Sequence, residues 1–465
     1  MTTVLPTYKR YINTIAVIAS LGGFLFGYDT AVISGTIKYV TLQFGLDAVH
    51  QGWYVSSALL GSILGVSVSG ILSDKYGRKK ILILAAVLFS ISAVGCVFAD
   101  GFADLVVYRL IAGLGIGVAS MLSPLYISEI SPSRQRGRLV ALYQFAITVG
   151  ILCSYFSNAW LLHISASTLM QRTTGHMHTI MVDEIWRIML GCSVLPAAGF
   201  LILLFLVPES PRWLVIKGKQ TKAKSILGRM MPANQAEHEV HEIAAMSQQE
   251  SPGLRIIFRG GFKTALLIGV SLAVLTQVSG INAIIYYGPG ILEKAGLPTD
   301  AALGGQVVIG LVNVFFTLIA IWKIDSLGRR PLLLAGVCGI IISLLAIGIL
   351  FHIHSSNPYL LLSCILFFIA CFAFSYGPVI WVLLAEIFPT HIRGKAMSIA
   401  TFALWIGTAL VGQLTPILLE TWGPAETFWL FALLTCPALW IGLRILPETK
   451  GRSLEEIEQF WLNKR

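Results

Sequence analysis

The sequence predicts an all-α membrane protein of twelve transmembrane helices in two six-helix halves. Three observations predict it: the composition, the length of the apolar runs, and a charged signature that occurs twice. Of 465 residues, 56% are hydrophobic and 12% charged, against about 45–50% and 25% in soluble domains. A water-soluble chain has too little polar surface to cover that much apolar area.

The apolar residues come in runs of about twenty, the length that crosses a hydrocarbon core roughly 30 Å thick at about 1.5 Å per residue. The spans are read near 12–36, 52–73, 81–99, 104–127, 138–162 and 188–207 in the first part of the chain. Those of the second part lie near 264–289, 301–322, 331–352, 359–386, 395–417 and 425–446. The first run follows Lys9 and Arg10 but carries no cleavage-site pattern, so it reads as a retained helix rather than a signal peptide.

The formal charge of +10 would suggest nucleic acid in a soluble chain. With the N-terminus inside, all but five of the 33 Lys and Arg fall in or beside cytoplasmic segments, as the positive-inside rule requires. The five are Lys38, Arg109, Arg172, Arg187 and Lys294. The excess charge is therefore topological. It implies a multi-pass protein of the cell (inner) membrane with both termini cytoplasmic, a lipid bilayer as partner and no nucleic acid. The seven cysteines all lie in apolar runs without CxxC spacing, so neither a disulfide framework nor a zinc site is expected. No metal and no cofactor are expected.

Asp74-Lys75-Tyr76-Gly77-Arg78-Lys79 after the second span recurs as Asp325-Ser326-Leu327-Gly328-Arg329-Arg330 after the eighth, about 251 positions on. Glu129 leading to Arg136-Gly137 is matched by Glu386 leading to Arg393-Gly394, and Pro208-Glu209 by Pro447-Glu448. Three pairs in one order mean two parallel halves related by a pseudo-two-fold along the membrane normal. The resulting division is residues 1–207 for the N-terminal half, 208–262 for a cytoplasmic linker with short amphipathic helices, 263–446 for the C-terminal half and 447–465 for the tail. In the tail, Ser453-Leu454-Glu455-Glu456 reads as a capping box ahead of a short helix.

An ionisable side chain inside a membrane costs at least about 2.5–3.5 kcal/mol on insertion scales, so each needs a partner or a function. Asp29 and Arg109 are the two within spans, at similar depth. If they pair, protonation of Asp29 dissolves the pair and couples proton occupancy to helix packing, while the alternative is a structural lock between spans one and four.

The repeated motifs place Asp74, Arg78, Glu129, Arg136, Glu209, Asp325, Arg329, Glu386, Arg393 and Glu448 at one membrane face. Salt bridges across the halves would close that face as a cytoplasmic gate. Gln144, Gln277, Asn282, Tyr286, Asn313, Trp381 and Trp405, together with Tyr287, are polar or aromatic positions inside spans. Amides and indole N–H groups bond hydroxyls and aromatic faces pack on the C–H faces of pyranose rings, so this mixture suits a neutral polyol. Gly280 and Gly288-Pro289-Gly290 in the seventh span and Gly377-Pro378 in the tenth predict broken helices beside these residues.

Gly113-Leu114-Gly115-Ile116-Gly117 sits in an apolar span without βαβ context, so helix packing outweighs a dinucleotide loop, and Gly61 and Gly65 read as a helix contact. His163, His176 and His178 are expected as solvated residues of an outer loop. No nucleophile or metal motif adjoins a span, so an enzyme is not expected.

With Gly22-Gly23-Phe24-Leu25-Phe26-Gly27-Tyr28-Asp29, the repeated Asp/Gly/Arg loops, Pro208-Glu209-Ser210-Pro211-Arg212-Trp213-Leu214, Gln277-Val278-Ser279-Gly280-Ile281-Asn282 and Pro447-Glu448-Thr449-Lys450-Gly451, the chain resembles the sugar porters of the major facilitator superfamily over nearly its whole length. The resemblance implies alternating access and symport of a monosaccharide, D-xylose or a relative, with a proton, by a functional monomer. It implies Asp29 as proton-responsive carboxylate with Arg109 as partner, and Gln144, Gln277, Asn282, Trp381 and Trp405 as pocket residues. Thr276 and Leu404 stand where that pocket carries amides, Ile151 where it carries a polar residue, and Ser193 where xylose-carrying members have a second carboxylate. The alternatives are a proton-independent facilitator and a membrane sugar sensor. A sensor needs a signalling extension, and only about fifteen residues follow Lys450.

Overall fold

Apolar runs of this length satisfy their backbone in hydrocarbon through intrahelical hydrogen bonds. The computed structural model describes residues 6–132, 136–167, 170, 175, 178–247, 260–355, 357–388, 393–450 and 456. Among them there is no strand, and twelve helices are long and apolar enough to cross a membrane. Spans 1 to 6 are Tyr8–Phe44, Ala48–Tyr76, Arg78–Val97, Phe102–Ile130, Gly137–Ser165 and Ile185–Leu206. Spans 7 to 12 are Phe262–Lys294, Thr299–Ile324, Arg329–His352, Pro358–Leu384, Lys395–Thr421 and Pro424–Arg444. Every expected run falls on one of them, and the protein is a multi-pass membrane protein.

The outward faces suit lipid. Leu195, Leu206, Trp322 and Leu433 are 67–75% exposed, a placement that is costly in water and neutral against acyl chains. At the motif-bearing end of span 8, Lys323 Nζ stands 4.0 Å from the centroid of the Trp322 ring, an ammonium and indole pair suited to the membrane interface. Inside, a Cβ on Gly61 would lie 2.9 Å from Gly113 Cα, and one on Gly65 2.5 Å from the Leu114 carbonyl oxygen. Both glycine motifs are therefore where span 2 meets span 4 backbone to backbone.

Span 7 breaks at Gly280, whose φ of 84° separates Gly260–Val278 from Ile281–Lys294. The second break expected at Gly288-Pro289-Gly290 does not occur, since Pro289 lies inside the continuous helix Ile281–Lys294. Pro289 has no N–H to offer the Ile285 carbonyl four residues back, and the Tyr155 hydroxyl donates there instead, at 3.2 Å. The same repair recurs on span 11, where Pro416 leaves the Gly412 carbonyl without its helical donor and the Tyr287 hydroxyl donates to it at 2.7 Å.

Span 10 answers Pro378 differently, with a π-helical turn over Phe372–Tyr376 ahead of Gly377–Ile387. The wider turn accommodates the missing donor without ending the helix. Span 6 breaks where no break was expected, between Ile185–Gly191 and Val194–Leu206. Here Pro196 cannot bond the Cys192 carbonyl, which takes the Leu195 N–H at 3.3 Å.

The contacts divide the chain into two compact units. The first comprises Met1–Asp29, Gly61–Gly150 and Gly191–Glu250. In it span 3 packs on span 4, and the linker forms helices Pro211–Ile216, Gln220–Leu227 and Ala233–Ser247 around Trp213, Leu214, Ala223, Leu227, Ala236 and Val240. The second comprises Thr30–Leu60, Ile151–Leu190 and Ser251–Arg465. It therefore holds the ends of spans 1, 2, 5 and 6 remote from the repeated motifs together with spans 7 to 12. Lys38 Nζ reaches Glu293 Oε1 at 2.9 Å and Thr299 Oγ1 at 2.6 Å, and Ser56 Oγ donates to Gln413 Oε1 at 2.6 Å. The tail capping box lies outside the described residues apart from Glu456.

Candidate functional site

Asp29 sits on the buried stripe of span 1, with Leu25 one turn before it and Val32 one turn after. Arg109 occupies the corresponding stripe of span 4 with Leu105, Ala112 and Ile116. Facing inward at 6% and 2% exposure, the two join through Arg109 Nη1 and Asp29 Oδ1 at 2.7 Å. The second carboxylate oxygen, Asp29 Oδ2, is buried and accepts no hydrogen bond among the described residues. One oxygen is charge-paired and the other retains its lone pairs.

In the second unit, the break at Gly280 puts Gln277 at the end of one helix and Asn282 at the start of the next. Asn282 Nδ2 donates to Gln277 Oε1 at 2.7 Å, and Thr408 Oγ1 on span 11 donates to the same oxygen at 3.0 Å. Gln277 Nε2 has no partner among the described protein atoms, so two N–H donors are available to a ligand. Tyr286 is buried edge-to-face on Tyr287, their centroids 6.4 Å apart, and Trp405 is buried on span 11. Asn313 is buried, accepting from Thr317 at 3.5 Å, while Trp381 is 37% exposed on span 10. Gln144 belongs to the first unit, half-buried on span 5.

The Thr276 hydroxyl bonds back to the Leu272 carbonyl at 2.8 Å, Leu404 and Ile151 are buried, and Ser193 heads the second helix of span 6.

The repeated motifs build the same constellation twice, each within one sequence half. Arg78 grips Glu129 through Nε at 3.0 Å and Nη2 at 3.1 Å, and reaches Asp74 and the Ser73 carbonyl through Nη1. Arg329 Nη2 meets Glu386 at 2.9 Å and its Nη1 meets the Ile324 carbonyl. Glu209 accepts the first N–H groups of span 3, those of Arg78 and Lys79, at 2.9 and 3.1 Å. Glu448 accepts those of Arg329 and Arg330 on span 9, both at 3.0 Å. The Pro-Glu pairs thus cap helix N-termini, where unsatisfied N–H groups and the positive dipole end favour a carboxylate.

Lys79 and Arg330 cap the opposite polarity, the last carbonyls of spans 6 and 12 at Phe205 and at Gly442 and Leu443. Backbone N–H donors hold Glu448 below the ordinary glutamate value although burial acts to raise it. The side chains of Arg136, Asp325 and Arg393 lie outside the described residues.

Three residues were missed by the sequence reading. Ser210 Oγ donates to Glu129 Oε2 and Thr449 Oγ1 to Glu386 Oε2, both at 2.6 Å. Their signal was present in the repeat, since each directly follows a Pro-Glu pair. Thr408 has no such signal, because only folding brings span 11 to Gln277. His163 lies in the last turn of the helix Arg136–Ser165 rather than in a loop, His178 is 3.3 Å from Asp183, and His176 is outside the described residues. All seven cysteines are free, and no cluster of metal-ligating side chains occurs among the described residues.

Residues 15–461 match the family described as "Sugar (and other) transporter". The chain is 39% identical to the arabinose-proton symporter of Bacillus subtilis (strain 168), covering 97% of this chain and 95% of that protein. It is 38% identical to the D-xylose-proton symporter of Escherichia coli (strain K12), covering 97% and 96%. The inward open conformation of the E. coli xylose transporter XylE superposes with a TM-score of 0.82 at 36% identity, covering 97% of this chain and 100% of that one. Twelve spans, a duplicated charged motif and a match across the chain lead to one conclusion: this protein belongs to the sugar (and other) transporter family.

Proposed function

We propose that this protein is a sugar:proton symporter working by alternating access, with D-xylose or a related monosaccharide such as L-arabinose as cargo. The observation that carries the proposal is the buried Asp29–Arg109 pair with one carboxylate oxygen left unbonded. A proton on Asp29 cancels the charge that neutralises Arg109, and leaving one member of a buried pair alone costs about 3–5 kcal/mol. That is enough to shift a conformational equilibrium a few kcal/mol deep. The donors at Gln277, the amide of Asn282 and the aromatic residues Tyr286, Trp381 and Trp405 suit a ring with several hydroxyls. The names of the relatives point to the same class of cargo.

In this reading the moving bodies are residues 1–207 and 263–446, joined by the linker 208–262 and followed by the tail 447–465. The two Arg-Glu constellations brace the cytoplasmic ends of the halves and supply the charges of an inner gate. The protein acts as a monomer in the inner membrane with both termini cytoplasmic, as a carrier and not an enzyme. One observation favours facilitation without protons: span 6 carries Ser193 and no carboxylate.

Uptake of labelled D-xylose and L-arabinose by proteoliposomes, with and without an inward-directed proton gradient, tests the proposal. Accumulation driven by the gradient in the wild type and lost in Asp29→Asn is expected. Equilibration that ignores the gradient and survives Asp29→Asn would leave only a facilitator.

A further inference from the structure

Two donors, one from span 7 and one from span 11, converge on a single atom, Gln277 Oε1. It accepts from Asn282 Nδ2 at 2.7 Å and from Thr408 Oγ1 at 3.0 Å. The Thr408 proton is shared as a three-centre bond with the Leu404 carbonyl one turn back on span 11, at 2.9 Å. Thr408 is itself 4% exposed, and Gln277 and Asn282 are 8% and 7% exposed.

An amide is nearly symmetric in shape and opposite in chemistry at its two ends. Which end faces a ligand is decided by what the other end bonds. With both lone pairs of Oε1 occupied, turning the Gln277 amide over breaks its bond to Asn282 and places N–H groups against the Asn282 N–H donors.

We propose that Thr408 is a positioning residue that sets the polarity of the sugar site: by binding Gln277 Oε1 it presents Gln277 as a pure donor, which reads a sugar hydroxyl through that hydroxyl's oxygen lone pair. The inference rests on the sugar-transport reading and adds a specificity rule to it. A substituent that accepts hydrogen bonds satisfies this subsite even when it carries no proton. A substituent that can do neither leaves the amide donors buried and unpaired. Thr408 acts through Gln277 and needs no contact with the sugar.

The rule predicts a pattern across analogues. The full-length wild-type protein, purified in detergent, is titrated with D-xylose, L-arabinose and D-glucose by intrinsic tryptophan fluorescence. The best-bound sugar is then compared with its monodeoxy and monodeoxyfluoro analogues at each ring position. The expected result is one position where the deoxy analogue binds at least tenfold more weakly while the fluoro analogue stays within about threefold, a donor-to-acceptor contact being worth that much.

Thr408→Val preserves shape and removes the hydroxyl; it is expected to weaken the parent sugar about tenfold and to abolish the preference for fluorine over hydrogen. Thr408→Ser, which keeps the hydroxyl, is expected to restore both. A merely structural role for Thr408 would lower affinity for all analogues alike and leave the fluoro preference in place.

Binding in which no position prefers fluorine over hydrogen overturns the proposal, as does a preference unchanged in Thr408→Val. The wild-type pattern decides the donor assignment even if the valine variant fails to fold. If no sugar in the set binds, the sugar-transport reading falls together with the proposal. Binding without the pattern removes only the proposal.

Discussion

The Asp29–Arg109 pair permits a quantitative test. Replacing Asp29 with Asn keeps the shape and leaves the Arg109 guanidinium, 2% exposed, without its carboxylate. Isolating one member of a buried pair costs about 3–5 kcal/mol, while replacing both members with uncharged groups of similar volume is often neutral or stabilising. The structure makes the effect asymmetric, because a single contact of 2.7 Å joins the two. Removing the arginine as well removes the uncompensated charge rather than adding a second loss. Asp29→Asn is therefore expected to lower the midpoint of thermal unfolding in detergent by on the order of 5 °C, and Asp29→Asn with Arg109→Met to recover most of it. Tryptophan fluorescence on heating reads stability, and gradient-driven uptake reads coupling, which neither variant is expected to retain. If Asn at 29 leaves stability unchanged, or the double variant is less stable than the single by a further amount of the same size, Arg109 is not held by Asp29 and the reasoning fails.

Other substitutions test the remaining geometry. Ser210→Ala and Thr449→Val each remove a 2.6 Å bond to a carboxylate that already holds an arginine. Each should cost about 1.5–3 kcal/mol, visible as a lower unfolding midpoint, and equal losses would mark the two constellations as equivalent. Gly280→Val should prevent a folded, monodisperse protein, since φ is 84° and a Cβ there lies 2.6 Å from the Phe431 ring; a monodisperse peak on size-exclusion chromatography would contradict it. The Glu448 carboxyl is held below its ordinary value of 4.5 by backbone N–H donors that outweigh the effect of burial. Its folded-state value lies below the unfolded one, so its contribution is complete above the unfolded value and fades as pH falls through the folded one. The difference in unfolding midpoint between wild type and Glu448→Gln should therefore be constant near neutrality and shrink below about pH 4.5. A difference that persists to pH 3 would refute that assignment.

Much of the site was legible because a membrane penalises polar groups wherever they occur. Asp29 and Arg109 drew attention as charges in apolar runs at similar depth, and the structure pairs them. The duplicated Asp/Gly/Arg loops were legible as a repeat, but not their chemistry. The glutamates of the Pro-Glu pairs turn out to cap the first N–H groups of spans 3 and 9, and each charged pair forms within one half. The failures concern proline. Gly288-Pro289-Gly290 looks like a break, yet a tyrosine from another span supplies the missing donor. Pro196 looks harmless, yet among the described residues no side chain from another span donates to the Cys192 carbonyl, and the helix breaks there.

By itself the sequence determined that the chain crosses the membrane twelve times, that its halves are copies, and which charged residues lie in the apolar runs. These depend on run length, composition and order along one chain, which are one-dimensional properties. Tertiary structure decided that Tyr155 and Tyr287 mend the carbonyls freed by Pro289 and Pro416, that Arg109 bonds one oxygen of Asp29, and that Thr408 bonds the amide oxygen of Gln277. Each of these is a hydrogen bond between residues more than seventy positions apart. Its donor and acceptor are ordinary in sequence and become specific only when packing brings two helix faces within about 3 Å.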